Sequence, residues 1–340
     1  MKLNKTHTEE TNNVKKEILK SNEREEYSCF LGTFNTKLIW VNIVAIFILH
    51  VASVIVIVTY PWTTKLRLVA YAFLIGGMGG FGVTGGAHRY WTHRSFKANT
   101  LLKIILLICY STAGQNSLKN WVRDHRVHHK FCESPADPHD SNRGFFFAHC
   151  GWLMMRKHSE VIKKGKQIDC SDVLADPLTA FHEKYFLAFK IIFCFIIPTS
   201  VPPLLWNESW WWSIGAIAVV RYCLLLNFTW SVNSAAHLWG YKPYDKTIQP
   251  VENLTVSILS MGEGWHNYHH TFPWDYKTSE SGKYNLTKFW LDFFAKIGWA
   301  YDLKSPSDDL VKQVVLNKGD GSHWSWGHEV SEQEDVYKTQ

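Results

Sequence analysis

The chain has 340 residues, a formal net charge of +6 and a mean hydropathy of −0.15. That average hides long uncharged runs. Basic residues are spread over loops instead of one stripe, which argues against a nucleic-acid partner and for a membrane surface or an anionic substrate, and seven cysteines without a C-x-x-C pair argue against a disulfide framework.

Residues 1–37 are polar, carry seven Lys and Arg, and read as a cytosolic N-terminal segment. Leu38–Tyr60 then runs for 23 residues without a formal charge, counting His50 as neutral, and Leu68–Ala87 for another 20. Crossing ~30 Å of hydrocarbon takes roughly 20 apolar residues as helix. Residues 38–87 are therefore read as transmembrane helices 1 and 2. A polar N-terminus precedes the first run, which does not fit a signal peptide. The second run holds IGGMGGFGVTGGA (75–87), with seven glycines. Gly76/Gly80 and Gly82/Gly86 have the small-xxx-small spacing that lets helices approach closely. The same missing side chains would also leave room for a ligand.

Residues 88–185 form a long segment. Within it Leu101–Tyr110 is apolar but about half the required length, so it reads as re-entrant or interfacial. Phe186–Trp206, with Lys190 and three prolines, and Trp210–Val232, with Arg221, read as spans 3 and 4 (186–232). Lys190 is expected to snorkel toward an interface, and Arg221 to face protein or water. Short connections on one side and long basic segments on the other place both termini in the cytosol. FWLDFFAKIGWAYDL (289–303) reads as an interfacial or an ordinary amphipathic helix. Residues 306–340 read as a C-terminal tail, mobile from Glu329 onward. The expected architecture is an all-α integral membrane protein. It has four transmembrane helices and a cytosolic helical cap in two parts, 88–185 and 233–305. Glycosylation sequons at Asn4, Asn207, Asn227, Asn253 and Asn285 are expected to carry no glycan.

Histidine gathers in three boxes. HRVHH (His125, His128, His129) and HNYHH (His266, His269, His270) share i, i+3, i+4 spacing. On a helix these positions lie on one face, so each box can offer two or three imidazoles to one point. HRYWTH (His88, His93) has i, i+5 spacing, which suits a regular turn less well. His88 is expected to end the second span, with His93 turning back. His237, in NSAAH, follows the fourth span with Asn233 one turn earlier. Nine imidazoles exceed what one tetrahedral zinc takes, so two metal ions are the simplest reading. Ligand type alone leaves iron, zinc, copper and nickel open. The absence of H-E-x-x-H argues against a zincin protease. His7, His50, His139, His149, His158, His182, His323 and His328 are read as structural. Asp137, Asp140 and Glu263 are candidates to accept from ligand histidines.

HRYWTH, WVRDHRVHHKF, SPADPHDSNRGFFFAHCGWLMMRKH (134–158), NSAAHLWG and GEGWHNYHHTFPWDY closely resemble the boxes of membrane-bound acyl-CoA desaturases, the stearoyl-CoA desaturase group. The chain looks like an insect member. The likeness runs in order from about residue 30 to about 305. It implies a multi-pass enzyme of the endoplasmic reticulum membrane that puts a cis double bond into a fatty acyl-CoA, using O2 and two electrons from cytochrome b5 and its reductase. With neither C-x-x-C-H nor HPGG in this chain, the donor is expected to be a separate partner. The resemblance implies two iron ions (Fe2+) held by His88, His93, His125, His128, His129, His237, His266, His269 and His270, with Asn233 holding a water.

The resemblance also implies a substrate site. Arg123, Asp124, Arg156, Lys157 and Asn42 match residues that hold the CoA part. Gln115, Trp121, Thr229 and Trp230 match residues around the bend of the acyl tunnel. Gly76 and Gly80 lie near the tunnel's end and are hypothesised to set its depth. Removing hydrogen from an unactivated methylene needs a strong oxidant, to which thiolate ligands would be vulnerable. A membrane hydroxylase or methyl oxidase is an alternative that the NSAAH and WVRDHRVHH contexts disfavour. A metal transporter is a remoter one, because transporters place polar ligands near the middle of their spans.

Overall fold

The computed structural model describes residues 36–327, together with the backbone of two short antiparallel strands, β1 Tyr27–Cys29 and β2 Gly32–Phe34. His7, His328, Asn4 and the stretch from Glu329 lie outside the described residues. The fold is predominantly helical, and among the described residues four helices are long and apolar enough to cross a membrane. They are α1 Trp40–Thr59, α2 Leu66–Thr92, α5 Phe186–Trp206 and α6 Trp210–Leu238. Between α2 and α5 come α3 Thr100–Ala113 and α4 Leu118–Phe131, which meet at 85°. After α6 come α7 His266–Thr271, α8 Leu286–Lys296 and α9 Asp308–Lys318. Strands β3 Lys97–Ala98 and β4 Ala300–Tyr301 pair antiparallel and tie the two halves of the cap together.

Part of the glycine run serves the packing of α3 on α2. A Cβ on Gly82 would lie 2.1 Å from the Tyr110 backbone N, and one on Gly79 would lie 3.1 Å from the Ala113 N. These two glycines let the backbone of α3 lie directly against α2. Leu102, Leu106, Leu107 and Tyr110 are buried as a result. Of the two readings of this run, the re-entrant one fits: α3 stops beside Gly79, halfway along α2, and the chain turns by 85° into α4.

A helix that stops between spans leaves carbonyls without partners, which is costly away from water. Three side chains of spans 3 and 4 take them. Arg221 Nη1 donates to Thr112 O (2.9 Å), Tyr222 Oη to Gly114 O (3.0 Å) and Lys190 Nζ to Gln115 O (3.3 Å). Lys190 therefore turns into the protein instead of snorkelling outward. Arg221 also takes Ile217 O (2.8 Å) and Cys194 O (2.8 Å). The Cys194 carbonyl is available because Pro198, four residues on, has no N–H to give it.

The last residues of the cap fold back. On α9, Val311 and Val315 pack with Tyr244, Tyr268 and Phe272, and Trp326 joins them. His323 is buried, with Nε2 2.9 Å from Glu280 Oε2. The segment expected to be a tail thus braces α7. Phe289, Trp290 and Phe293 leave α8 with an exposed aromatic face, while Leu291 and Phe294 enter the core.

Candidate metal centre

The i, i+5 spacing of HRYWTH has a direct structural reason. Residues Gly82–Thr92, at the end of α2, wind as a π-helix, and the His93 backbone N–H donates to His88 O at 3.1 Å. A turn one residue wider than an α-turn brings positions five apart onto one face. The rings of His88 and His93 lie 4.8 Å apart. HRVHH occupies the last turns of α4, and HNYHH forms α7. Asn267 pins α7 in place: its side chain accepts from the Tyr244 and Asp245 backbone N–H groups and donates to Asp245 O and Pro250 O.

The nine histidines meet in two groups. His88, His93, His125, His129 and His269 form one; His128, His237, His266 and His270 form the other. Within each group the ligand atoms lie within 4.8 Å of one another. In the first, His88 Nε2 is 2.9 Å from His269 Nε2, which is 3.1 Å from His129 Nε2. In the second, His266 Nε2 is 3.1 Å from both His237 Nε2 and His270 Nε2. Helices α4 and α7 each serve both groups. Burial and the neighbouring rings push His93, His125, His129, His266, His269 and His270 well below the usual imidazole range. They are therefore neutral, which is the form that binds metal.

Carboxylates behind the rings set their orientation. Asp137 lies 2.9 Å from His128 Nδ1, Glu133 lies 2.8 Å from His237 Nδ1, and Glu263 lies 2.9 Å from His88 Nδ1. Each fixes a tautomer with Nδ1–H outward and Nε2 toward the centre. Burial pushes the Glu133 carboxyl up, but hydrogen bonds from His237, Cys132 and Ser141 outweigh it and hold it at about 2. Glu263 is also gripped by the fully buried Arg89, through Nη2 (2.8 Å) and Nε (3.1 Å). Sequence reasoning reached Asp137 and Glu263 but missed Glu133 and Arg89. Both had a signal: Glu133 follows HRVHH by four residues, and Arg89 is a charge at the end of an apolar span.

A cavity of about 520 Å³ starts at His88, His125 and His266. It runs between α1, α2 and α6 to Tyr60 and Trp62. Apart from Arg221 and the groups at the metal end, its walls are almost wholly apolar. Gly76 and Gly80 line it together with Gly77, as do Trp121, Thr229 and Asn233. Trp121 stacks on His125 (5.0 Å) and donates through Nε1 to Gln115 Oε1 (2.8 Å), and Gln115 Nε2 donates to Thr229 Oγ1 (2.9 Å). Trp230 turns away from the cavity, against His50 and His149. It sits there because successive residues of α6 face different sides.

Of the remaining expected substrate residues, Arg123, Asp124, Arg156 and Lys157 lie on the cap and Asn42 at the start of α1. Arg123 Nη2 (2.9 Å) and Lys157 Nζ both bond Asp124. Asn42 Nδ2 donates to Leu153 O (2.7 Å), which docks the end of the short 3-10 turn Gly151–Leu153 on the start of α1, and Arg156 is exposed. A second, polar cleft of about 380 Å³ opens on His93, lined by Arg94, Arg126 and Trp274.

Histidines outside the two groups have other partners. His50 and His149 share Asn227, and His182 bonds Ser111. His158 caps a helix, and His139 packs on Trp152. Asn253 and Asn285 use their side chains as helix caps.

The family described as Fatty acid desaturase matches residues 65–285. An Acyl-CoA Delta-9 desaturase of Acheta domesticus is 48% identical over 89% of this chain and 86% of its own length. An Acyl-CoA Delta(11) desaturase of Trichoplusia ni is 47% identical over 85% and 84%, and Stearoyl-CoA desaturase 5 of Bos taurus is 45% identical over 84% and 85%.

Proposed function

Since the chain belongs to the fatty acid desaturase family, we infer that it is an acyl-CoA desaturase, an oxidoreductase that puts a double bond into a fatty acyl chain. The observation that carries this reading is the apolar cavity that begins at three of the clustered histidines and runs on between the spans. Two adjacent methylenes each lose a hydrogen. O2 takes two electrons from the substrate and two from a donor, and with two protons leaves as two waters.

We propose two iron ions as the cofactor. His88, His93, His125, His129 and His269 would hold one, and His128, His237, His266 and His270 the other, with Asn233 holding a water. The all-imidazole set suits iron. The fit is supported by His93 Nε2 and His128 Nε2, both buried without a hydrogen-bond partner among the described residues. When bound, the ions supply with O2 the oxidising power that an unactivated methylene requires. The protein's own part is positioning. The cavity walls exclude water, the Trp121–Gln115–Thr229 chain fixes one wall beside His125, and Asp137, Glu133 and Glu263 hold the Nδ1 protons of His128, His237 and His88.

The finer reading follows the cap. Arg123, Arg156 and Lys157, with Asp124 and Asn42, would hold the CoA part, since Arg and Lys suit phosphate. Gly76 and Gly80 would set tunnel depth. Cytochrome b5, kept reduced by its reductase, would supply the electrons from the cap side, where the cleft at His93 opens. The cis geometry, the endoplasmic reticulum membrane and cytosolic termini complete the proposal. The long Lys- and Arg-bearing segments on one side of the spans support this orientation.

The test is expression in a desaturase-deficient yeast, followed by location of double bonds in its fatty acids. One new cis alkene is expected. Folded, iron-loaded protein that yields no alkene overturns the reading, and an alcohol in its place would turn it to a hydroxylase.

A further inference from the structure

The buried cation Arg221 stands halfway along α6 and reaches only backbone carbonyls and the Cys194 sulfur. A charge at this depth is expensive to retain. What it holds is the end of α3. With Tyr222 and Lys190 it grips the carbonyls of Thr112, Gly114 and Gln115. Gly114 is in the left-handed region (φ 63°), and a Cβ there would lie 2.6 Å from Cys194 Sγ and 2.8 Å from Tyr222. A side chain at this position would collide with both, so the turn lies close against spans 3 and 4.

That turn carries one functional side chain. Gln115 stands between Thr229 on α6 (2.9 Å) and Trp121 on α4 (2.8 Å), and Trp121 stacks on His125. Both Thr229 and Trp121 line the cavity. Any slip of the turn is transmitted through Gln115 to the wall beside the first histidine group. A saturated chain offers nearly identical methylenes, so the carbon that meets that group is chosen by the shape of this wall.

We propose that Arg221, Tyr222 and Lys190 are positioning residues that set which carbon is oxidised, by fixing the Thr112–Gln115 turn and through it Gln115 and Trp121. The proposal rests on the desaturase reading. Tyr222 and Lys190 line no part of the cavity and bond no metal ligand, whereas Arg221 also borders the cavity, so Y222F and K190M carry the test.

The experiment measures double-bond positions made by Y222F, K190M and R221K in the yeast assay, beside wild type and Q115A. Y222F removes one hydroxyl and keeps the ring, so it is the variant least able to perturb folding. Each variant is expected to raise the ratio of a neighbouring positional isomer to the main product, roughly fivefold for the loss of one such hydrogen bond. Y222F added to Q115A should shift the ratio no further than Q115A alone, because the effect passes through Gln115. Folded variants that lose total product with an unchanged isomer ratio, or additive shifts in the double variant, overturn the proposal. Wild type that makes no alkene would instead overturn the functional reading.

Discussion

Glu133 reaches His237 across 104 residues of sequence: its Oε1 lies 2.8 Å from the ring Nδ1, while Ser141 Oγ holds the same oxygen at 2.7 Å. The contact joins the end of α4 to the end of α6, so the second histidine group depends on a residue outside every box.

E133Q should keep the fold and weaken metal binding. A glutamine oxygen can still accept from Nδ1 but without charge, and the loss of such an outer partner typically lowers metal affinity about 10–100-fold. Competition with a graded chelator, read as metal per chain on purified protein, checks this. Unchanged retention would show that Glu133 contributes nothing to the second group.

The Arg89–Glu263 pair should behave as a unit. R89A leaves a carboxylate buried beside His88 without its cation, which is expected to lower stability by about 3–5 kcal/mol. Adding E263Q removes the unpaired charge and should return part of that stability in thermal unfolding, although the tautomer of His88 loses its fixed partner. Equal stability of R89A and R89A/E263Q would contradict the pairing.

Two glycines five positions apart on α2, Gly77 and Gly82, should behave differently. A Cβ on Gly77 meets nothing within 4 Å, whereas one on Gly82 meets the backbone of Cys109 and Tyr110 at 2.1–2.5 Å. G77L should therefore accumulate normally and shift the product spectrum toward shorter acyl chains. G82A should fail to accumulate, as overpacking against backbone commonly costs about 1–3 kcal/mol or more. G80A is intermediate, because its Cβ would meet the movable Met261 Sδ at 2.5 Å.

Glu252 gives the cap a pH dependence. Burial pushes its carboxyl from the ordinary 4.5 up to about 8, against the Tyr268 and Asn267 backbone N–H groups that would lower it. Below about pH 4.5 folded and unfolded chains both hold the proton. Between about 4.5 and 8 the unfolded chain has released it and the folded one keeps it, so stability falls as pH rises and levels off above about 8. E252Q should flatten this slope and melt about a few degrees higher than wild type at pH 8. Parallel melting curves from pH 5 to 8 would exclude Glu252 as the source.

Much of the centre could be read from spacing. The i, i+3, i+4 boxes and the span lengths were enough to bring His125, His128, His129, His266, His269 and His270 to one side. What spacing could not reveal lies in pairings over long separations. Periodicity reports which face a residue occupies but not what stands opposite it, so Lys190 looked like an interfacial lysine, while the placing of Trp230 at the cavity came from the family resemblance. The length of α3 left a re-entrant and an interfacial placement open. The backbone contacts at Gly79 and Gly82, with the bonds from Arg221, Tyr222 and Lys190, place it between spans. The HRYWTH spacing looked irregular because a π-turn has no marker as plain as that of an α-turn.

The sharing of α4 and α7 between the two histidine groups bears on stoichiometry. His125 and His129 turn to one group and His128 to the other; His269 turns to one and His266 and His270 to the other. An ion that orders either helix for one group orders it for its neighbour as well. Occupancy should therefore rise in a single cooperative step, and a preparation with one equivalent of metal per chain should be a mixture of doubly filled and empty molecules, with few half-filled ones.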